Sequence, residues 1–210
     1  MRIRSVQVGM IGTNCYIMMN EDTKAGLVVD PGGDAGRILY HLHEMGMAKV
    51  EGILVTHGHS DHIGGLQELR EAVKAPVYMS RVDAPMLGDA ELNLSLWMEG
   101  PVTALPPEKE LKHGDVITVA GFEFKVLLTP GHTPGGVCFY NKEHALCFVG
   151  DTIFCESIGR TDFPGGSYSA ILESIKTQIL PLGDDVRLLP GHMTETTVGW
   201  EKRRNPYLQD

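Results

Sequence analysis

Basic residues are scarce in this 210-residue chain: 18 Lys and Arg stand against 27 Asp and Glu, for a net charge of −9. No basic run occurs before the short Lys202-Arg203-Arg204. That argues against a nucleic-acid surface, while leaving small phosphorylated substrates open. No apolar stretch approaches the roughly 18 residues of a membrane-spanning helix. Arg2 and Arg4 are followed by Gln7, Gly9 and Gly12, not by the apolar core of a signal peptide. The cysteines Cys15, Cys138, Cys147 and Cys155 show no CxxC spacing, so reduced thiols in a cytoplasmic protein are expected. Low-complexity segments and sequence-level repeats are also missing. What remains is an ordinary globular composition, 42% hydrophobic and 21% charged, over a length that suits one large domain or two small ones.

Histidine is where the chain is rich. Thr56-His57-Gly58-His59-Ser60-Asp61-His62 follows the apolar run 52–55 and packs three imidazoles and a carboxylate into six residues. These donors suit a borderline metal such as zinc. His57 and His59 are two apart, so an extended chain points them to one side. Asp61 and His62 are adjacent and should diverge within one regular element, which hints at a second metal. The bland alternative, Ser60 or Asp61 capping a helix that begins at Ile63, leaves the histidines unexplained. The spacing differs from that of a zincin helix.

Patterning suggests strands at 3–8, 15–19, 27–30, 50–56, 76–79, 116–119, 122–128, 136–140, 145–149 and 186–189. Helices are expected at 35–45, 63–73, 169–180 and 198–204, with 83–98 mostly helical or irregular. Segment 30–33 reads as a turn, and the turn-rich 101–107 as a seam between halves. Two sheets packed together with helices outside fit this order. Three later strands stop at Gly or Pro and then present one ligand-type residue: His132, Asp151 and His192. Strand ends gathered at one sheet edge are where such folds place their sites. His41, His43, His113 and His144 fall in a helix or polar loops and read as solvated. Seven donors exceed one tetrahedral zinc and suit two metals. His57, His59 and His132 could hold the first, and Asp61, His62 and His192 the second, with Asp151 bridging. Two ions about 3.5–4 Å apart would share a hydroxide for hydrolysis.

The residues 57–62 match the HxHxDH signature of the metallo-β-lactamase superfamily. Asp30, Gly131-His132, Gly150-Asp151 and Gly191-His192 follow its other motifs in order. The resemblance covers essentially the whole chain and implies a single domain over 1–210 with an α/β (α+β) fold, a four-layer αβ/βα sandwich of two mixed sheets flanked by helices. Segments 158–164 and 180–186 and Asn205-Pro206 are similar to the compact glyoxalase II-like branch, which lacks the C-terminal helical domain of the long enzymes. The resemblance implies a dinuclear thioesterase, with zinc first and iron or a mixed pair second. Its substrate would be S-lactoylglutathione or a related acyl-thiol, and Asp61 would orient the hydroxide. It also suggests that Arg160 contacts a glutathione carboxylate, unless Arg160 simply pairs with Asp162. Cys-ligand β-lactamases, flavodiiron proteins and RNA-processing members each depart from this pattern. Persulfide dioxygenases are similar through the Gly-Arg-Thr-Asp-Phe stretch, and imply the alternative of one iron on His57, His132 and Asp151. A non-enzymatic binding role is disfavoured by the complete ligand set. Cys155 is expected to be an inert buried thiol.

Overall fold

The computed structural model describes residues 1–98 and 100–209. The first 111 residues form one compact unit together with 118–122. Segments 112–117 and 123 onwards form a second.

In the first unit, β1 (Arg2–Val8), β2 (Thr13–Met19) and β3 (Ala25–Val29) make an antiparallel meander. After α1 (Ala35–Glu44), β4 (Lys49–Leu54) pairs parallel with β3. A short α2 (Ser60–Ile63) and α3 (Leu66–Val73) lead to β5 (Val77–Ser80), and β6 (Lys109–Leu111) completes a six-stranded mixed sheet. Ile38 and Leu42 of α1 and Leu66 and Leu69 of α3 pack with Cys15, Ile17, Val28 and Ile53 in one buried cluster. The i, i+3, i+4 spacing on each helix thus does what the pattern predicts. Every residue of β2 and β3 is buried, as expected of inner strands covered on both faces.

The expected helix over 63–73 is broken. It starts at Ser60, pauses at Gly64-Gly65 and resumes at Leu66. A β-carbon at Gly64 would lie 2.5 Å from the Gly32 carbonyl oxygen, and one at Gly65 would lie 2.8 Å from that of Gly33. The 30–33 turn therefore presses directly on this break, a long-range contact that periodicity cannot register. Segment 101–107 is not the seam. Backbone N–H of Ala104 donates to Leu87 O, and Arg70 donates to Leu105 O, tying it into the first unit.

The second unit holds the other mixed sheet. Its strands are β7 (Val116–Val119), β8 (Phe122–Leu128), β9 (Val137–Asn141) and β10 (Leu146–Gly150). A two-stranded ribbon, β11 (Ile153–Phe154) and β12 (Ser157–Ile158), precedes α4 (Tyr168–Ser174). Then come β13 (Arg187–Pro190), β14 (Thr196–Thr197) and α5 (Val198–Arg204). The sheet order is β14-β13-β10-β9-β8-β7, and the hairpin tip 118–122 belongs to the first unit. The helix expected over 169–180 changes pitch: α4 widens into a π-helical stretch at Ile175–Ile179 and tightens at Leu180–Leu182. Ile171, Ile175 and Ile179 stay buried against Leu127, Cys147 and Leu188, so packing continuity outweighs regular hydrogen bonding there. The sequence pattern also missed β6, β11, β12 and β14, which are three residues long or shorter.

Candidate metal centre

In the first unit the parallel strands β3 and β4 end side by side. Asp30 follows β3 in the left-handed conformation (φ 50°), and its N–H donates to Leu54 O at the end of β4. This turns its carboxylate onto the residues after β4. Oδ1 accepts from the Thr56 N–H at 2.8 Å, and Oδ2 accepts from the Thr56 hydroxyl at 2.7 Å. The same Oδ2 accepts from His62 Nδ1 at 3.0 Å. Because the Thr56 hydroxyl proton is committed to Asp30, its oxygen is left to accept from His57 Nδ1, 3.2 Å away. One buried carboxylate therefore fixes both imidazoles as Nδ1–H tautomers and leaves each Nε2 with its lone pair. That is the support metal-ligating histidines need from the residues behind them. Sequence reasoning saw Asp30 as a turn residue and motif member and gave it no function. Its position directly after a strand was the available signal.

The rings of His57 and His59 meet edge to face with centroids 4.9 Å apart, and those of His57 and His62 lie 4.1 Å apart. Asp61 does not diverge from His62, contrary to expectation: its Oδ2 lies 3.4 Å from His62 Nε2. Asp61 is the second residue of the four-residue α2, and the length of the imidazole lets the two side chains meet. The capping alternative also fails, since His59 is the N-cap residue and no side chain caps this helix. Thr13, on β2, donates its hydroxyl to Asp61 Oδ2 at 3.2 Å.

In the second unit β8 and β10 both pair antiparallel with β9, and β10 pairs parallel with β13. Their C-terminal ends therefore share one edge, and these ends carry His132, Asp151 and His192. Gly191 N–H donates to Gly150 O at 2.9 Å and locks two of the ends together. Asp151 Oδ2 lies 3.5 Å from Nε2 of both His132 and His192. His132 Nδ1 donates to the Arg160 carbonyl at 2.8 Å, so this ring too presents a lone pair at Nε2. The donor chemistry of both clusters suits divalent metal ions: imidazoles, with Nδ1 engaged at His57, His62 and His132, together with carboxylates.

Arg160 takes the simple pairing. Its guanidinium forks onto Asp162 at 2.8 and 2.7 Å and stacks over Phe163, 3.8 Å from the ring centroid. The hydrogen bond from Arg160 pulls the Asp162 carboxyl down to a pKa of about 2. None of the four thiols forms a disulfide. Cys155 is half-buried rather than buried, while burial pushes the Cys147 and Cys15 thiols well up. His113 is not merely solvated, since its Nδ1 accepts from the Leu128 N–H. His41 likewise bonds Arg4, and His144 bonds Asn141.

The metallo-beta-lactamase superfamily model matches residues 8–192, a span that includes every donor described above. The chain belongs to this superfamily. Membership makes it a metal-binding enzyme of the metallo-hydrolase type, and the two mixed sheets with their helices match that fold. The chain is 35% identical to hydroxyacylglutathione hydrolase GloC of Haemophilus influenzae, covering 99% of this chain and 98% of the relative. The crystal structure of BLEG-1 B3 metallo-beta-lactamase is 37% identical with a TM-score of 0.96, and 100% of each chain is covered. TTHA1623 in a di-iron-bound form is 35% identical with a TM-score of 0.87, covering 98% of this chain and 100% of that one. No helix among the described residues is long and apolar enough to cross a membrane.

Proposed function

We propose that the protein is a cytoplasmic thioesterase of the glyoxalase II type. His57, His59, Asp61 and His62 from one unit and His132, Asp151 and His192 from the other would hold two divalent ions, zinc in the first instance, with Asp151 shared. The observation that carries this reading is the full-length likeness to the hydroxyacylglutathione hydrolase GloC. The Asp30 network supports it, because the chain already holds the imidazoles in their ligating form.

Bound ions of this kind supply a Lewis acid for the thioester carbonyl and bring the pKa of a water towards about 7. The rest falls to the chain. Asp61, whose Oδ2 is anchored by the Thr13 hydroxyl beside His62 Nε2, would orient the attacking water. Asp30 keeps His57 and His62 from rotating, and the Arg160 carbonyl does the same for His132. A thiol of pKa roughly 8.5 leaves as thiolate, so no separate general acid is required. Arg160 would meet a substrate carboxylate only by sharing its guanidinium with Asp162.

The deciding experiment is S-lactoylglutathione hydrolysis by protein reconstituted with zinc or iron, against a His57→Ala control. Turnover that depends on His57 is the expected result. A protein inactive with both metals that consumes oxygen with glutathione persulfide would replace this reading with an iron dioxygenase using His57, His132 and Asp151. The likeness to a protein in a di-iron-bound form is what keeps iron in the comparison.

A further inference from the structure

Wholly within the first unit, the segment after β5 meets the donor-bearing stretch 57–62 at three points. Met86, in the short 3-10 helix Ala84–Gly88, bears on Gly58. A β-carbon at Gly58 would lie 2.5 Å from that of Met86, so this position has no room for a side chain. The Ser60 N–H, the first of α2, donates to the Asn93 carbonyl at 2.9 Å. Ser60 Oγ lies 3.7 Å from Met98 Sδ. The hub of this arrangement is Asn93, which is fully buried. Its amide nitrogen donates to Met86 O and to Val102 O, each at 2.9 Å, and its Oδ1 accepts from the Ser95 N–H at 3.0 Å. Both amide protons and the amide oxygen are thus engaged. The next residue, Leu94, is held in the left-handed conformation (φ 68°), which a leucine adopts where its surroundings impose it.

We infer that Asn93 is a positioning residue for the metal centre, holding the first turn of α2 and with it the donors Asp61 and His62. The inference rests on the assignment of those two residues as metal ligands, and not on the choice of substrate. The weakness of α2 leads there. A helix of four residues is far too short to persist unaided, and its N-cap residue His59 offers no side-chain bond to the open N–H groups. Its place must therefore be imposed from outside. Asp30 and Thr13 hold the side chains of His62 and Asp61, while the main chain that carries both is held at Ser60 by the Asn93 carbonyl. That carbonyl is itself fixed, because the Asn93 amide ties Met86 and Val102 into one frame around it. The same amide keeps Met86 where it bears on Gly58, between the donors His57 and His59. One buried side chain thus supports two of the three contacts.

The test compares Asn93→Ala with Ser95→Ala, each as metal-free and as zinc-loaded protein. Ser95→Ala removes a hydroxyl that accepts from the Val102 N–H and donates to Ala90 O, so it loosens the same segment and leaves every Asn93 hydrogen bond in place. In metal-free Asn93→Ala, NMR should find the Ser60 amide exchanging about tenfold faster than in the parent, the scale of one net hydrogen bond. The Thr56 amide, held by Asp30, should keep its rate. Zinc affinity, measured by chelator competition, should fall about tenfold in Asn93→Ala and stay at the parent value in Ser95→Ala. Met86→Ala, a milder change that frees Gly58, should lower zinc affinity by a smaller factor. Ser60 and Thr56 amides that quicken together, an unchanged zinc affinity in Asn93→Ala, or an equal loss in Ser95→Ala overturns the inference. Should Asn93→Ala not fold, Met86→Ala decides: a loss of zinc affinity supports the inference and an unchanged value overturns it. A parent that binds no zinc or iron overturns the metal assignment above and this inference with it, whereas a parent that binds zinc indifferently to Asn93 overturns this inference alone.

Discussion

Replacing Asp30 with Asn exchanges one oxygen for an amide donor at the hub of the first ligand cluster. Each oxygen of Asp30 faces at least one donor: Thr56 N–H on Oδ1, and the Thr56 hydroxyl and His62 Nδ1 on Oδ2. The amide must therefore oppose a donor in either orientation. If the nitrogen takes the Oδ2 position, Thr56 must turn its hydroxyl around, and His62 loses its acceptor. His62 can then recover by moving its proton to Nε2, the nitrogen needed for metal. Hydrogen bonds to a charged group contribute about 1.5–3 kcal/mol each. Two are lost at a site only 2% exposed, so the metal-free variant should be about 3 kcal/mol or more less stable in urea. Metal affinity, measured by competition with a chromogenic chelator at a denaturant-free, fully folded temperature, should fall about 10–100-fold. Thr56→Val is the graded control: it cuts the link to His57 and leaves the His62 bond, so it should lose less of both. Equal metal affinity in Asp30→Asn and the parent would refute the reasoning, as would a Thr56→Val variant more damaged than Asp30→Asn.

Three further outcomes are expected. In Gly159→Ala the new methyl overlaps the Asp151 carbonyl oxygen. Thermal unfolding should show a loss of about 3 kcal/mol or more, with metal content falling in step. Glu201→Gln disturbs a fully buried carboxylate that accepts from Thr196, the Glu156 N–H and Asn205, and should cost about 1.5–3 kcal/mol in chemical denaturation, with any residual activity at low temperature unchanged. In Arg160→Gln, NMR titration should find the Asp162 pKa raised from about 2 to the usual carboxylate range of roughly 3.9. The sign follows from the depressed value: the paired charge contributes above the unfolded pKa and is lost as pH falls through about 2, so this pair is no switch near neutrality.

The ligand-type residues stood out in the sequence because four of them cluster at 57–62 after the run that ends in β4, while His132, Asp151 and His192 follow apolar runs where strands stop. Parallel pairing of β10 with β13, and the shared direction of β8 and β10, turns that sequence position into a common edge. Legibility ended where tertiary contact decides. The break at Gly64-Gly65 answers to the backbone of 32–33, which lies 32 positions away in the chain. The meeting of Asp61 with His62 depends on side-chain reach, whereas the expectation of divergence used backbone direction alone. The function of Asp30 was hidden for the same reason: one carboxylate gathering Thr56 and His62 is a relation among three positions. Arg160 was narrowed to two alternatives, and the fork onto Asp162 is the one the structure contains.

The grouping of Asp30, Thr56, His57 and His62 also bears on how the protein is made. These residues lie within a stretch of 33 consecutive positions, held by pairing of β3 with β4. A ribosome delivers the N-terminal part first, at roughly 5–20 residues per second. His192 emerges 130 positions after His62, so the early cluster can order its imidazoles seconds before the last donor exists. The network that orients His57 and His62 is thus contained in the part of the chain made first.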